Sequence, residues 1–454
     1  MKYPIYTSLL LVICLVFTGC DKYLDIQPKG TKLLTTVADY DQWLNDEALA
    51  LGGSPYNYAN FLGDNMDVVN IANPPAQVAE LIYTWAPQFS TDLSAAPLFW
   101  GEHYGRINLF NTVLTGIDAA TGGSNSQRRS LKAEALLGRA LEYFYLVNYY
   151  GKPYDSTSAQ QDLAVPFITS NDVAQVVPAR NTVAQIYQHI IEDLNAAIPD
   201  LPADNSANRL RGSIAAAYSV LARVYFYAGN YTEAQKNAAL ALSNGKAVML
   251  DLNGAMPSTN LLGTHPDVIY GRMTIAQFSA ALDLMQSFSS TDLRIRKLYY
   301  STDGYRFTTR GATLYCPPLI NTILYYTNNG TSVQEMKLII AECAARSNDL
   351  TLALQQLDEV RKNRFPPASY VRFESADQET VYQEVLKERS HELPFCGLRW
   401  FDMRRLDMDN RMGAVNRYNA QGAVIATLEP HSERYTLQVP VQVLSFNPDM
   451  QQNP

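Results

Sequence analysis

Ser213–Ser243 reads SIAAAYSVLARVYFYAGNYTEAQKNAALALS. Leu221, Ala222 and Tyr225 recur at helical spacing, Gly229 interrupts, and Tyr231, Ala234, Ala238 and Ala241 resume the period. The stretch reads as two helices joined by a tight turn, with Gly229 giving the backbone freedom that turn needs. Ala222 and Ala234 stand twelve positions apart, one on each helix. Small side chains at those two places let antiparallel helices approach closely.

That layout is tetratricopeptide-like. It returns in Gln334–Arg364 with Leu338, Ala341, Ala344, Ala353, Leu357 and Val360, where Ala341 and Ala353 are again twelve apart. Arg128–Tyr150 and Thr182–Ile198 make a third pair, stretched by the extended, Pro-bearing connection 152–181. One pair alone cannot bury its apolar face, so stacking is required. The expected fold is mostly α: helix pairs near 128–198, 213–243 and 334–364 in a partial solenoid, with large irregular loops and a few short strands.

Outside the pairs, helical spacing marks Thr36–Ala50 and Phe99–Ile117. Residues 55–98 read as a long irregular stretch, and 245–332 as a large irregular insertion rich in Gly, Ser, Thr, Asn and Pro. Residues 411–454 read as irregular, with strand-like runs at Val424–Leu428 and Tyr435–Val443.

The N-terminus reads as a lipoprotein leader. Lys2 precedes an apolar run from Ile5 to Phe17, and Thr18-Gly19-Cys20 follows. The run is shorter than the roughly 20 residues a transmembrane helix needs. Residues 1–19 are therefore expected to be a signal peptide, with Cys20 as the lipidation site. Acyl chains there anchor stably, since each buried CH₂ contributes about 0.8 kcal/mol. Residues 21–30 form a short extended linker, spanning at most ~35 Å, and 20–454 are expected to form one domain.

The hydrophobic share of 47% permits a substantial core, and the net charge of −8 with no basic run argues against nucleic acid as a partner. Behind the leader, Cys316, Cys343 and Cys396 are odd in number and lack metal-ligand spacing. They allow one bridge or three free thiols. No metal or cofactor is expected. The five His carry no HExxH, and no Walker loop, GxGxxG or GxSxG elbow occurs. Asp64 and Asp67 are conceivable as a glycosidase pair but read better as solvated loop acids.

Four stretches together resemble the SusD/RagB-like outer-membrane lipoproteins. The first is Cys20 with Leu24-Asp25 and Pro28. The second is Ala133-Glu134-Ala135 with Tyr143-Phe144, Leu146-Val147 and Tyr149-Tyr150-Gly151. The third is Glu388-Arg389, Glu392-Leu393, Phe395, Gly397, then Arg399-Trp400-Phe401-Asp402 and Arg404-Arg405. The fourth is Pro440, Asn447-Pro448, Met450 and Gln452-Asn453-Pro454. The third is the most specific, and departs at Cys396, where the family usually carries Glu.

The resemblance implies a single SusD-like domain with ligand-facing loops opposite the helix pairs. It also implies residence on the outer-membrane surface and a SusC-like TonB-dependent transporter as partner. The implied activity is capture and delivery of an oligosaccharide, without catalysis. A peptide ligand, as in RagB-like members, and a structural adaptor with no ligand of its own are the alternatives.

The C-terminal motif region, 388–454, opens with Arg389, Glu392, Arg399, Trp400, Asp402, Arg404 and Arg405 close together. This density reads as an ion-pair network tying the last helices to the solenoid, with Trp400 and Phe401 as apolar plugs. Arg399→Ala is then expected to lower stability rather than affinity. Glycan capture asks for aromatic faces and polar groups that meet hydroxyls. The candidates are Tyr56, Tyr58, Asp64, Asn65 and Trp85 in one loop region, and Tyr270, Arg272, Tyr299 and Tyr305 in the other.

Overall fold

Ser213 sets the start of the decisive helix: its Oγ accepts from the Ala216 amide at 3.1 Å. In the computed structural model, which describes residues 34–50, 54–257, 262–275, 277–317 and 326–454, nine described helices reach ten residues or more. They are α1 (Trp100–Gly116), α2 (Asn125–Tyr150), α3 (Val183–Ala197), α4 (Ile214–Tyr227), α5 (Tyr231–Asn244), α6 (Val333–Arg346), α7 (Leu350–Arg361), α8 (Gln378–Glu392) and α9 (Arg399–Met408). The leader, Cys20 and the 21–30 linker lie outside the described residues. Residues Thr36–Pro454 form one compact unit.

The pairs α2–α3, α4–α5 and α6–α7 each pack together, α5 packs on α6, and α8 returns against α6 and α7. The α4–α5 and α6–α7 hairpins repeat each other position for position. Gly229 (φ +72°) and Asn348 (φ +63°) occupy the same left-handed turn site. The next amide donates back to Tyr225 O in one hairpin (2.9 Å) and to Ala344 O in the other (2.8 Å). Asn230 and Asp349 then cap the second helices by accepting from Glu233 and Leu352 amides. Ala222, Ala234, Ala341 and Ala353 are all fully buried, as close helix approach requires.

Consecutive hairpins are also joined by charge. Arg223 on α4 and Glu335 on α6 form a bidentate pair at 2.7 Å in both contacts, with side chains 0% and 1% exposed. Arg223 Nη1 further donates to Asn329 O at 3.1 Å.

The irregular regions are more ordered than composition suggests. Residues 55–98 contain helical turns at Ser54–Leu62 and Val78–Tyr83. In the 245–332 insertion, seven short strands make three small antiparallel sheets among the described residues: β1 (Val268–Tyr270) with β7 (Thr331–Ser332), β2 (Met273–Ile275) with β6 (Tyr326–Asn328), and β3 (Phe278–Ser279) and β4 (Tyr299–Ser301) flanking β5 (Thr313–Tyr315). Strands of two or three residues are too short to show alternation, so periodicity missed them. Near the C-terminus, β8 (Val415–Tyr418) pairs with β9 (Val424–Leu428). Tyr435–Val443 is not a strand: Pro440 is the N-cap of the short helix Val441–Phe446, which begins within the run.

The core joins α2 to α9. Phe401 packs against Phe144, Tyr145 and Tyr149 at ring separations of 5.8, 6.0 and 5.1 Å. Cys316, Cys343 and Cys396 are all free thiols.

Candidate ligand-binding cleft

The polar cleft of this protein, about 620 Å³, is built where chain segments remote in sequence meet. The turn after the Ser54–Leu62 helix brings Asp64, Asn65 and Asp67. The 282–287 segment brings Asp283 and Ser287. The start of α9 brings Arg399, and β8 brings Asn416, Arg417 and Tyr418.

Arg417 fixes β8 to the floor. Its Nε donates to Tyr83 O at 2.9 Å and its Nη2 to Gly63 O at 2.7 Å. The guanidinium lies over the Tyr83 and Trp85 rings, 4.0 and 4.3 Å from their centroids. Burial among carbonyls rather than carboxylates lowers its pKa. Trp85 Nε1 donates to Leu62 O at 3.0 Å, so the indole is a buried platform for Arg417.

Two bidentate ion pairs form the walls. Arg399 donates to Asp64 through Nε (2.5 Å) and Nη2 (2.7 Å), with side chains 21% and 25% exposed. Burial pushes the Asp64 carboxyl up, but the adjacent Arg399 outweighs it and the net shift is downward. Arg310 grips Asp67 through Nε (2.7 Å) and Nη2 (2.5 Å), and Tyr83 Oη donates to the same carboxylate at 3.1 Å. Between Asp64 and Asp67 sits Asn65, buried, with neither amide atom partnered among the described residues. An unpaired buried amide costs about 1–3 kcal/mol.

Arg310 arrives on a tightly wound loop. Gly304, Tyr305, Phe307 and Gly311 all have positive φ, at +71°, +64°, +51° and +74°. Left-handed backbone at Tyr305 and Phe307 costs of order 1–3 kcal/mol each. Asp303 holds it in place, accepting from Ser301 Oγ (2.8 Å) and from the Arg306 and Thr308 amides (both 3.1 Å). Arg310 Nη1 then reaches Asn419 O at 2.8 Å, joining this loop to the β8–β9 turn across the cleft.

Of the sequence candidates, Asp64 and Asn65 line this cleft together. Tyr58 packs edge-on against Phe61 at 5.8 Å, and the Tyr56 side chain lies outside the description. Tyr270 and Arg272 are buried against each other, guanidinium over ring at 4.1 Å. Tyr299 is buried between Phe288 and Tyr315. Tyr305 lies half-buried under Arg296, 3.7 Å from guanidinium to ring. Trp85, Tyr270 and Tyr299 are therefore buried in protein: Trp85 lies under Arg417, and Tyr270 and Tyr299 face inward from β1 and β4. Arg310, Arg417 and Tyr418 are the residues that sequence reasoning missed. Nothing local to Arg310 signals a partner as distant as Asp67.

In the C-terminal motif the charged side chains pair with one another and with neighbouring helices. Arg389 Nε meets Asp402 at 2.9 Å, and Arg405 joins Asp402 (2.8 Å) to Glu342 on α6 (2.5 Å). Glu392 accepts from Arg364 (2.5 Å) and Arg294 (2.9 Å). Arg404 donates to the carbonyls of Asn148 and Gly151, closing the end of α2. Trp400 stacks on Tyr435 at 5.3 Å. Arg399 departs from the expectation: it also faces the cleft.

A second, larger cleft of about 800 Å³ is walled by Trp100, Tyr104, Val176, Val177, Val443 and Met450, and holds none of the predicted ligand residues. Among the described residues no cluster of His, Cys, Asp or Glu is placed to hold a metal ion, and no helix is long and apolar enough to cross a membrane.

Residues 22–226 match a SusD-like family model described as starch-binding associating with outer membrane, and 333–454 match the SusD family model. The chain belongs to the SusD/RagB-like family. A SusD-like protein of Bacteroides ovatus is 32% identical over 238 residues, 48% of this chain and 39% of that protein, so this SusD/RagB-like chain matches about two fifths of that relative's length. The fold is shared with a SusD superfamily protein from Bacteroides thetaiotaomicron (TM-score 0.75, 20% identity, 92% of this chain and 100% of that one). It is shared also with a putative sugar binding protein from Bacteroides vulgatus (TM-score 0.73, 19% identity, 93% and 99%).

Proposed function

We propose that this protein captures a glycan in the polar cleft. In this reading it is lipid-anchored and surface-exposed on the outer membrane, and passes its ligand to a SusC-like TonB-dependent transporter. The observation that carries the reading is Asn65. It is a buried amide with no protein partner on a wall flanked by two ion pairs. A sugar hydroxyl both donates and accepts, and an amide offers one group of each kind. Tyr418 adds an aromatic ring, partly exposed, at the rim. The family description as starch-binding and the Bacteroides vulgatus neighbour, a putative sugar binding protein, support the same ligand class.

The site is built for holding rather than turnover. A glycosidase needs one carboxyl protonated and one free. Asp64 and Asp67 are both clamped by guanidinium groups, and Asp64 is held below its ordinary range. An acyl anchor at Cys20 with a ten-residue tether keeps such a cleft near the membrane, where a transporter mouth lies.

The test is native gel electrophoresis through soluble starch, arabinoxylan and galactomannan, with calorimetric titration of a mixed peptide digest alongside. At least one polysaccharide should retard the protein, and Asn65→Ala should lose that retardation with Tm unchanged. Peptide binding without any polysaccharide retardation would replace the glycan reading. The anchor is checked separately: Cys20→Ser should leave the membrane fraction, and its persistence there would sink the lipid assignment.

A further inference from the structure

We infer that the cleft accepts uncharged glycans and turns away those carrying carboxylate or sulfate groups. The inference rests on the glycan-capture reading and specifies its ligand. Its basis is the charge arrangement of the walls. Three carboxylates and three guanidiniums line the cleft: Asp64, Asp67 and Asp283 against Arg310, Arg399 and Arg417.

Each guanidinium is already committed. Arg399 and Arg310 are bidentate on Asp64 and Asp67. Arg417 is buried and spent on backbone carbonyls. An incoming anion therefore meets Arg399 and Arg310 only as partners of carboxylates, and Arg417 only as a residue 2% exposed. The exposed Asp283 lies in no ion pair among the described residues and Arg417 meets only carbonyls, so the cleft is charge-balanced, and an anion entering it loses solvation without a net cationic field in return. A uronate or sulfate seated against Arg399 or Arg310 would lie beside the carboxylate already there, Asp64 or Asp67, and like charges side by side are unfavourable.

Hydroxyl groups meet no such barrier. Arg399 Nη1 has no protein partner among the described residues and keeps its N–H donors for a neutral acceptor, while the Asn65 amide offers both polarities. Recognition is thereby by hydrogen bonds to hydroxyls, with little net Coulomb attraction.

Electrophoresis through neutral gels (starch, arabinoxylan, galactomannan) and anionic gels (polygalacturonate, chondroitin sulfate) tests this. Retardation is expected in at least one neutral gel and in neither anionic gel, with less than two-fold change in neutral affinity between 0.05 and 0.5 M NaCl. Asp64→Asn frees Arg399 and should gain at least several-fold affinity for polygalacturonate. Asp283→Asn, a change at an exposed site that leaves folding intact, should move in the same direction by less. Wild-type binding tighter to an anionic gel than to any neutral one overturns the selectivity and leaves glycan capture standing. So does failure of both variants to gain polygalacturonate affinity. Retardation in no gel overturns the capture reading itself, and this inference with it.

Discussion

Arg399 and Asp64 close a two-bond ion pair, at 2.5 and 2.7 Å, across 335 residues of sequence. The pair sets the wall of the cleft and ties α9 to the N-terminal part of the fold. Arg399 belongs to a motif whose other members are internal, and the sequence suggests the same for it. Its position on the cleft gives it a second task.

Because this pair is about a fifth to a quarter exposed, solvent screens it. Arg399→Ala is expected to cost only about 1 kcal/mol of stability. It should also weaken polysaccharide retardation several-fold, since the free Nη1 donors go with it. Thermal melting and affinity electrophoresis on the same preparation separate the two effects. A large drop in Tm with unchanged retardation would return Arg399 to a purely structural role.

Arg223 and Glu335 present the opposite case. Their side chains are 0% and 1% exposed, and they link two consecutive hairpins. Arg223→Ala leaves Glu335 charged and buried, and also takes the side-chain donor from the Gly330 carbonyl, while Asn329 O keeps the Tyr145 hydroxyl. The expected loss is about 3–5 kcal/mol, read from urea unfolding. Arg223→Met with Glu335→Leu should recover part of it, not all, because the Gly330 carbonyl still lacks the guanidinium donor. A single variant as stable as the parent would show that the pair contributes nothing.

The helix pairs are legible in the sequence because their signals are local. Ala222 with Ala234, Ala341 with Ala353, and a turn residue between them all fall within one hairpin. The cleft is not legible in this way. Asp64 meets Arg399, and Asp67 meets Arg310, through contacts between segments hundreds of residues apart. Aromatic residues in loops look like ligand platforms, yet Trp85, Tyr270 and Tyr299 are buried. Their rings fill the core, and Trp85 and Tyr270 support guanidinium groups, roles that composition cannot distinguish from sugar stacking. Asp64 and Asn65 are legible because two adjacent polar side chains stand in a stretch without apolar periodicity.

The two hairpin turns make a paired prediction. Gly229 and Asn348 share one left-handed site, and no atom lies within 4 Å of a Cβ built on Gly229. Gly229→Ala therefore introduces backbone strain without a clash, at about 1 kcal/mol. Asn348→Gly removes the strain that Asn carries there, against some added freedom of the unfolded chain. It should leave stability unchanged within about 0.5 kcal/mol. Chemical denaturation of both variants checks this. A Gly229→Ala loss above about 3 kcal/mol would mean that the turn tolerates no side chain for a reason other than φ.

Acid should unfold this protein through Asp402. Burial raises its carboxyl pKa, but Arg389 and Arg405 together prevail and hold it at about 2. The unfolded chain protonates Asp near ~3.9. A depressed folded value means that the contribution is complete above that unfolded value, and drains away as pH falls toward 2. The window holds roughly 2–3 kcal/mol from this one group, and Glu392 and Asp64, also held low, act in the same sense. Stability from urea unfolding should therefore be flat from pH 7 to 5 and fall steeply between pH 4 and 2. Asp402→Asn should be less stable at neutral pH, where Arg389 and Arg405 lose their shared anion. It should also show a shallower acid slope, because the titrating group is gone. An unchanged slope in that variant would place the acid sensitivity on other carboxylates and remove Asp402 from the account.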